Sequence, residues 1–278
     1  MKPKKALFLI VNYFNEKEVI EFVESQLGGM LNADVLATVI DNGSGNPGLL
    51  DKMKQSNEFV SVYHPEDNLG YFGAANYGLD QYTQTCSVLP DFIIICNSDI
   101  SFAGDNFISE LITISEMKDF DILGPDVYSD FLKYHQNPYI VRRISRRRMK
   151  MYYWLTANVI LYTLFTLVHL IKRRLFRSGQ LLAKEDMQVY AIHGSFMVFR
   201  KSYFDRGGSI QYPLLLFGEE LFIAETALKK GFKLIFEPSL KIIHKQHATT
   251  GTFKSSRAVH LMHQSYSWLI TNFFEQSK

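Results

Sequence analysis

The first hundred residues alternate short apolar runs with stretches of helical spacing, and few folds accept that pattern. Leu7-Phe8-Leu9-Ile10-Val11 reads as a buried strand. Residues 16–30 follow, with Val19, Ile20, Val23 and Leu27 at helical spacing. A second strand at 35–40 closes on Asp41-Asn42-Gly43-Ser44, a strong turn signal. Residues 49–53 read as helix, 60–63 as a third strand, 73–82 as helix after a glycine-rich turn, and 92–96 as a fourth strand. This alternation predicts an α/β protein with a wound sheet and helices on both faces.

Wound sheets bind ligands beyond the carboxyl ends of their strands. Polar residues fall at those ends here: Asn12, Asp41, the 68–73 segment and Asp99. Four such ends are more than a fold requires. The second half is less regular. It predicts a strand at 192–199 with Gly194-Ser195 inside it, a helix at 219–230, a short strand at 234–236 followed by Pro238 and Ile242-Ile243-His244, and a helical, aromatic tail at 257–274.

Four clusters carry candidate chemistry, and each has an ordinary alternative. Asn97-Ser98-Asp99 ends an apolar run, where an oxygen ligand could hold Mg²⁺ or Mn²⁺ on a diphosphate; the same residues also make turns and caps. In the segment from Asn68 through Gly70, Gly73 and Asn76 to Gly78, glycines let backbone approach a ligand at a helix N-terminus. Their spacing is not that of a dinucleotide fingerprint. Glu219-Glu220 opens a helix after Phe217-Gly218, where a carboxylate could be a general base or a partner of the helix dipole. His244, flanked by Lys245 and His247, reads as a metal ligand, a phosphate contact or a surface histidine.

Composition adds two constraints. The two cysteines, Cys86 and Cys96, make neither a disulfide framework nor a zinc spacing, which fits a reducing cytosol, and Cys96 reads as a core thiol. The net charge of +2 hides an asymmetry. Arg142, Arg143, Arg146, Arg147, Arg148, Lys150, Lys172, Arg173, Arg174 and Arg177 occupy one stretch without an acid, which leaves the rest of the chain acidic and points to a separate partner for that stretch.

Taken in order, Val11-Asn12-Tyr13, 40–44, 68–78, Asn97-Ser98-Asp99, Gly194-Ser195-Phe196-Met197, Phe217-Gly218-Glu219-Glu220, and Pro238 with His244 resemble the inverting family-2 glycosyltransferases of GT-A fold, in particular their rhamnosyltransferase-like bacterial branch. The similarity runs from Leu7 to about Gly251, interrupted near 135–185. It implies one GT-A domain: a nucleotide-sugar half at 1–134, a helical insert at 135–185, an acceptor and catalytic half at 186–256, and a C-terminal helix at 257–278. It implies that Asp41 contacts the donor base, with Asn12 and Asn68 lining the nucleotide pocket beside Gly70, Gly73, Asn76, Asn97 and Ser98. Asp99 and His244 would serve the metal or diphosphate, Gly194 and Ser195 would lie near the acceptor, and Glu220 or Glu219 would be the base. Asn97 stands where many relatives carry Asp, and Glu-Glu where the family usually has Glu-Asp. Those departures keep a non-catalytic nucleotide-sugar binder and a membrane scaffold as alternatives. A nucleotidyltransferase ranks lower, because Asn12-Tyr13-Phe14-Asn15-Glu16 lacks a glycine-rich basic loop.

Residues 153–171 carry no formal charge and are bordered by arginines on both sides. Their length could span a bilayer. Basic flanks on both sides, and motifs on both sides that must meet in one site, favour a helix lying in the interface, with arginines on anionic headgroups. The expected place is cytoplasmic, peripheral at the inner face of the cell membrane, near a lipid-linked acceptor. A hairpin packed on the protein itself or on a second subunit, as in a homodimer, is the alternative partner. Nucleic acid is not expected, since no aromatic–basic interleaving supports it.

Overall fold

The computed structural model describes residues 4–30, 34–175, 185–245 and 254–275, with the side chains of 169–175 left out. His247, Gly251 and Arg177 therefore lie outside the described residues, and only the backbone of Lys172, Arg173 and Arg174 is described.

In chain order the elements are β1 (Lys5–Asn12), α1 (Glu16–Glu21, widening into a π turn at Phe22–Leu27), β2 (Asp34–Asp41), α2 (Pro47–Ser56), β3 (Val60–Tyr63), α3 (Tyr71–Thr85), β4 (Phe92–Cys96), β5 (Ile100–Phe102) and α4 (Phe107–Met117). Then follow β6 (Ile122–Ser129), β7 (Tyr134–His135), α5 (Arg146–Thr156), α6 (Val159–Leu175), β8 (Met187–Gln188), β9 (Phe196–Arg200), α7 (Lys201–Asp205), α8 (Glu219–Lys230), β10 (Leu234–His244) and α9 (Ser256–Leu269). One sheet runs β3-β2-β1-β4-β9-β6-β10-β5, with β7 on β6 and β8 on β10. The first four strands are parallel, as their apolar runs predict. Strand β9 is antiparallel to both β4 and β6, and β6 is parallel to β10. Hence β1 to β4, β6 and β10 all end at one edge, and β9 begins there.

Side chains alternate across the pleat and build a core on each face. Phe8 and Ile10 pack with Val19, Leu50 and Leu111 on one side. Leu7 and Leu9 pack with Phe72, Ile223 and Leu269 on the other. Helices therefore cover both faces of an α/β, GT-A-like mixed sheet.

Three sequence expectations need correction. The strand at 192–199 is shorter and later, Phe196–Arg200, so Gly194 and Ser195 sit in the turn before it. Strand pairing starts only at Phe196, opposite Cys96. The short strand at 234–236 and the run ending at His244 are one strand. Pro238, Ser239 and Leu240 leave the β6 ladder, because Glu237 pairs with Pro125 and Lys241 with Asp126. The buried Glu237 carboxylate holds that detour, accepting from Ser239 N (3.1 Å), Ser239 Oγ (2.7 Å) and Lys118 Nζ (2.6 Å).

The third correction is the apolar stretch 153–171, which is two helices rather than one. Asn158 Oδ1 accepts from Ile160 N at 2.8 Å, so this residue caps α6 instead of continuing α5. The chain bends there by 119°. Among the described residues no single helix is long and apolar enough to cross a membrane. Residues before and after the excursion pair with each other, Ile140 with Ala191, so the chain leaves and re-enters the body at one place.

The two halves touch closely at Gly70. Its φ of 75° suits glycine, and a Cβ there would meet Leu215 O. Tyr71 N donates to that same carbonyl at 3.0 Å. Gly70 thus admits backbone of the chain itself, the segment just before α8. Gly70→Ala combines a strained backbone with a backbone collision, and should lower unfolding free energy by more than ~2 kcal/mol. A lower urea midpoint at unchanged slope would show it.

Candidate functional site

The ends of β1, β2 and β3 build one cleft. Asn12 and Asp41 are paired in register, and Asn12 Nδ2 donates to Asp41 Oδ1 at 3.0 Å. Asp41 Oδ2 meets His64 Nδ1 at 3.0 Å, and His64 Nε2 reaches Asp51 Oδ1 at 3.1 Å. Burial lowers the His64 pKa, but Asp51 and Asp41 outweigh it and hold the ring above its ordinary value. Asn42 staples the next loop down: its Oδ1 accepts from Leu69 N at 2.7 Å, and its Nδ2 donates to Asn68 Oδ1 at 3.0 Å and Gly70 O at 3.2 Å. Glu16 accepts from Ser44 Oγ and the amides of Gly45 and Asn46; these bonds, Ser44's foremost, hold its carboxyl down at about 2. A cleft of about 710 Å³ opens over these groups, lined by Tyr13, Phe14, Asp41, His64, Asn68 and Arg257 among others.

A second cluster lies further along the edge, where β4, β9 and β10 meet. His244 is buried at the end of β10, pairing in register with Ile100 and Ser129. Its Nδ1 lies 2.7 Å from Gln136 Oε1. Asp99 Oδ1 is 3.1 Å from Nε2, and this buried oxygen finds no further hydrogen-bond partner among the described residues. Burial raises the Asp99 carboxyl, and the His244 ring and the Asn97 amide outweigh it, leaving it below the usual range. A carboxylate oxygen and an imidazole nitrogen face each other across 3.1 Å, the donor types that hold a divalent cation when the ring is neutral. Among the described residues no third carboxylate, histidine or cysteine joins them. Asn97 Nδ2 is 3.4 Å from His244 Nε2, and among the described residues no side-chain hydrogen bond of Ser98 defines its role.

A chain of polar groups stands behind His244. Gln136 Nε2 lies 3.3 Å from His193 Nε2, and His193 Nδ1 lies 2.9 Å from Ser195 Oγ. Burial pushes His193 down to about 3, so this ring is neutral.

The acid pair arrives from the other direction. Gly218, at φ 89°, starts α8 and turns Glu219 and Glu220 toward the edge. Glu220 Oε1 accepts from Gly194 N at 3.3 Å, and a Cβ on Gly194 would lie 2.8 Å from that oxygen. Gly194 O in turn accepts from Tyr71 OH at 3.2 Å, and Asn97 N donates to Ser195 O at 2.9 Å. The turn before β9 therefore joins Glu220, Tyr71 and Asn97. Burial raises both glutamates, and the Glu220 charge raises Glu219 further. Glu219 Oε1 is buried with no hydrogen-bond partner among the described residues.

Of the residues expected at a site, Asn12, Asp41 and Asn68 gather at the cleft, and Asp99, Asn97, His244, Gly194, Ser195 and Glu220 at the second cluster. The loop 68–71 connects the two. Asn76 points elsewhere, donating to Asp80 along α3 at 2.9 Å, and Gly73 lies near Leu69 Cβ and Tyr212 O. Sequence reasoning missed His64, which directly follows β3 just as Asp41 ends β2, and His193, which directly precedes Gly194. Both signals were in reach. Gln136, Tyr71 and Arg257 had none.

The sequence profile described as "Glycosyl transferase family 2" matches residues 8–208, more than half the chain. Glu219, Glu220 and His244 fall beyond that match. A search of curated proteins finds no match. Among solved structures, GalNAc-T7 with UDP, GalNAc and Mn²⁺ is similar at TM-score 0.61 and 14% identity, over 99% of this chain and 50% of that one. The chain thus spans about half the length of that neighbour. The mannosyltransferase PcManGT from Pyrobaculum calidifontis with GDP-Man and Mn²⁺ is similar at TM-score 0.51 and 11% identity, over 98% of this chain and 73% of that one.

Manganese binding should report the second cluster directly. By electron paramagnetic resonance of free Mn²⁺, Asp99→Asn and His244→Ala should each weaken binding by about tenfold or more, and Asp41→Asn should leave it unchanged.

Proposed function

This chain belongs to glycosyl transferase family 2, and from that premise we propose that it moves a hexosyl or deoxyhexosyl group from a UDP- or dTDP-linked sugar to a hydroxyl of a saccharide or lipid-linked saccharide, inverting the anomeric centre. The observation that carries the proposal is the position of Glu220. The Gly194 amide holds its carboxylate at the sheet edge that also presents Asp99 and His244. Both solved neighbours hold a nucleotide or nucleotide sugar with Mn²⁺, which supports a nucleotide-sugar donor and a divalent cation.

In this reading the nucleoside end of the donor occupies the cleft of Asn12, Asp41, His64 and Asn68. Both Asp41 oxygens already accept a bond, so a base reaching this residue shares an oxygen with Asn12 or His64. Mg²⁺ or Mn²⁺ would be held by Asp99 Oδ1 and His244 Nε2 and would neutralise charge on the departing diphosphate. Glu220 takes the proton of the acceptor hydroxyl as its oxygen bonds to the anomeric carbon. The bond from that carbon to the diphosphate oxygen breaks in the same displacement, and the nucleoside diphosphate leaves. A base with a raised pKa suits this task better than an ordinary carboxylate. Gly194 is needed as glycine because a Cβ would crowd the Glu220 oxygen. Burial and the charge of Glu220 push the Glu219 carboxyl up to about 8, so Glu219 is mostly protonated where Glu220 acts as the base. The setting that suits such a reaction is bacterial surface polysaccharide synthesis at the cytoplasmic face of the membrane, in a rhamnosyltransferase-like branch.

A donor screen by thermal shift with Mn²⁺, followed by transfer assays, tests this. Glu220→Gln should lower kcat by about 10²- to 10⁴-fold, with donor KM within a few-fold, and proton NMR of the product should show the inverted anomer. Near-wild-type turnover of this variant, or retention, would remove the assignment.

The pair also sets a pH dependence. Because burial raises both glutamates, the active base form is lost as pH falls from well above the ordinary glutamate value of about 4.3. The acid limb of kcat against pH should therefore lie above that value, and it should persist in Glu219→Gln, where Glu220 remains.

A further inference from the structure

The α5–α6 excursion is anchored on the body yet leaves a wide apolar face in solvent. Arg143, just before α5, gives Nε and NH2 to the buried Glu225 carboxylate on α8 at 2.9 and 2.8 Å. Tyr153 stacks on His263 of α9 with centroids 4.3 Å apart, and Tyr152 lies 5.6 Å from Tyr266. Arg148 turns inward to Tyr152 OH at 2.7 Å. These contacts account for two of the basic residues and one side of α5.

The other side has no partner among the described residues. On α6, Ile160, Leu161, Leu164, Leu167 and Val168 are each 44–65% exposed. Their spacing places them on one face. On α5, Arg147, Lys150, Met151 and Trp154 share a stripe by the same periodicity, and Trp154 is 67% exposed. Arg142, Arg146, Arg147 and Lys150 are exposed and make no ion pair among the described residues. The surface is therefore basic at the start of α5 and apolar from the bend onward.

We propose that this surface docks on an anionic lipid bilayer, with the arginines at the headgroups and Trp154 and the α6 face in the acyl boundary. Charge and apolarity in sequence along one amphipathic pair is what an interface of phosphate over hydrocarbon accepts. A second copy of the chain fits less well. A two-fold contact lays the patch on itself, and 142–177 holds ten cations and no acid to answer them. Crossing the membrane fits less well too, because Ile140 and Ala191 bring the chain back to its starting point. The proposal does not depend on the transferase reading. It extends that reading by seating α9, which braces α5 and touches the Gly218 turn through Ser265, between the lipid and the acid pair.

The chain has two tryptophans, so Trp268→Phe leaves Trp154 as the reporter. With vesicles of phosphatidylcholine and phosphatidylglycerol, full-length W268F should co-sediment and its emission should shift to the blue. High salt should weaken binding, and vesicles of phosphatidylcholine alone should bind far less. Leu161→Glu with Leu164→Glu, and separately Arg146→Glu with Arg147→Glu, should each reduce the bound fraction by about tenfold or more. Circular dichroism should match the parent. The idea is overturned if both double variants sediment like the parent, if Trp154 emission stays unshifted on bound vesicles, or if the chain is a dimer without lipid that L161E/L164E dissociates. Transfer to a water-soluble acceptor should be unchanged in both variants. Absence of transfer in the parent would sink the transferase reading and leave the vesicle result standing.

Discussion

Three residues that leave a strand decide where the buried histidine goes. Pro238, Ser239 and Leu240 loop out of the β6–β10 ladder between Glu237 and Lys241. Without that detour Lys241, not His244, would pair with Ser129. The offset is odd, so every later side chain would also face the opposite side of the sheet. The detour is held by a buried carboxylate, Glu237, with Ser239 and Lys118 as its partners. The Asp99–His244 juxtaposition thus rests on a local irregularity far from the atoms it positions.

The same edge is completed by reversal of one strand. Because β9 runs against its neighbours, its first residues meet the last residues of β4, and Asn97 N bonds Ser195 O. Gly194 then carries the acid pair's position into the sheet, while Gly70 lets the preceding segment lie on α3. Two glycines without side chains are where the halves of the molecule approach. Each admits another part of the chain, Leu215 O in one case and Glu220 in the other. Uncompensated groups collect at the same edge: an Asp99 oxygen and a Glu219 oxygen are buried without a hydrogen-bond partner among the described residues. Such groups cost stability and persist where something other than stability maintains them.

Much of this was readable from residue patterns. The four parallel strands appeared as apolar runs, α8 as a helix from Glu219 to Lys230, and Cys96 as a core residue. The family resemblance was carried by motifs, and the family-2 profile agrees with it over 8–208. Reading failed where a polar side chain served the backbone. Residues 153–171 read as one helix, and Asn158 inside them is the cap of a second. Gly70 looked like room for a ligand, and Leu215 occupies that room. Part of the basic stretch looked free, while Arg143 is bound to Glu225.

Sequence alone determined the alternation of elements, the strand ends and the residue types that stand there, since hydrophobic periodicity and turn chemistry are local. It also set the amphipathic character of 142–177. Tertiary structure decided which strand ends share an edge, which way β9 runs, and that Gln136 stands behind His244. Pairings across 108 and 147 residues, such as Gln136 with His244 and Asn97 with His244, leave no periodic trace. They come into being only when the sheet's order and register bring distant segments together.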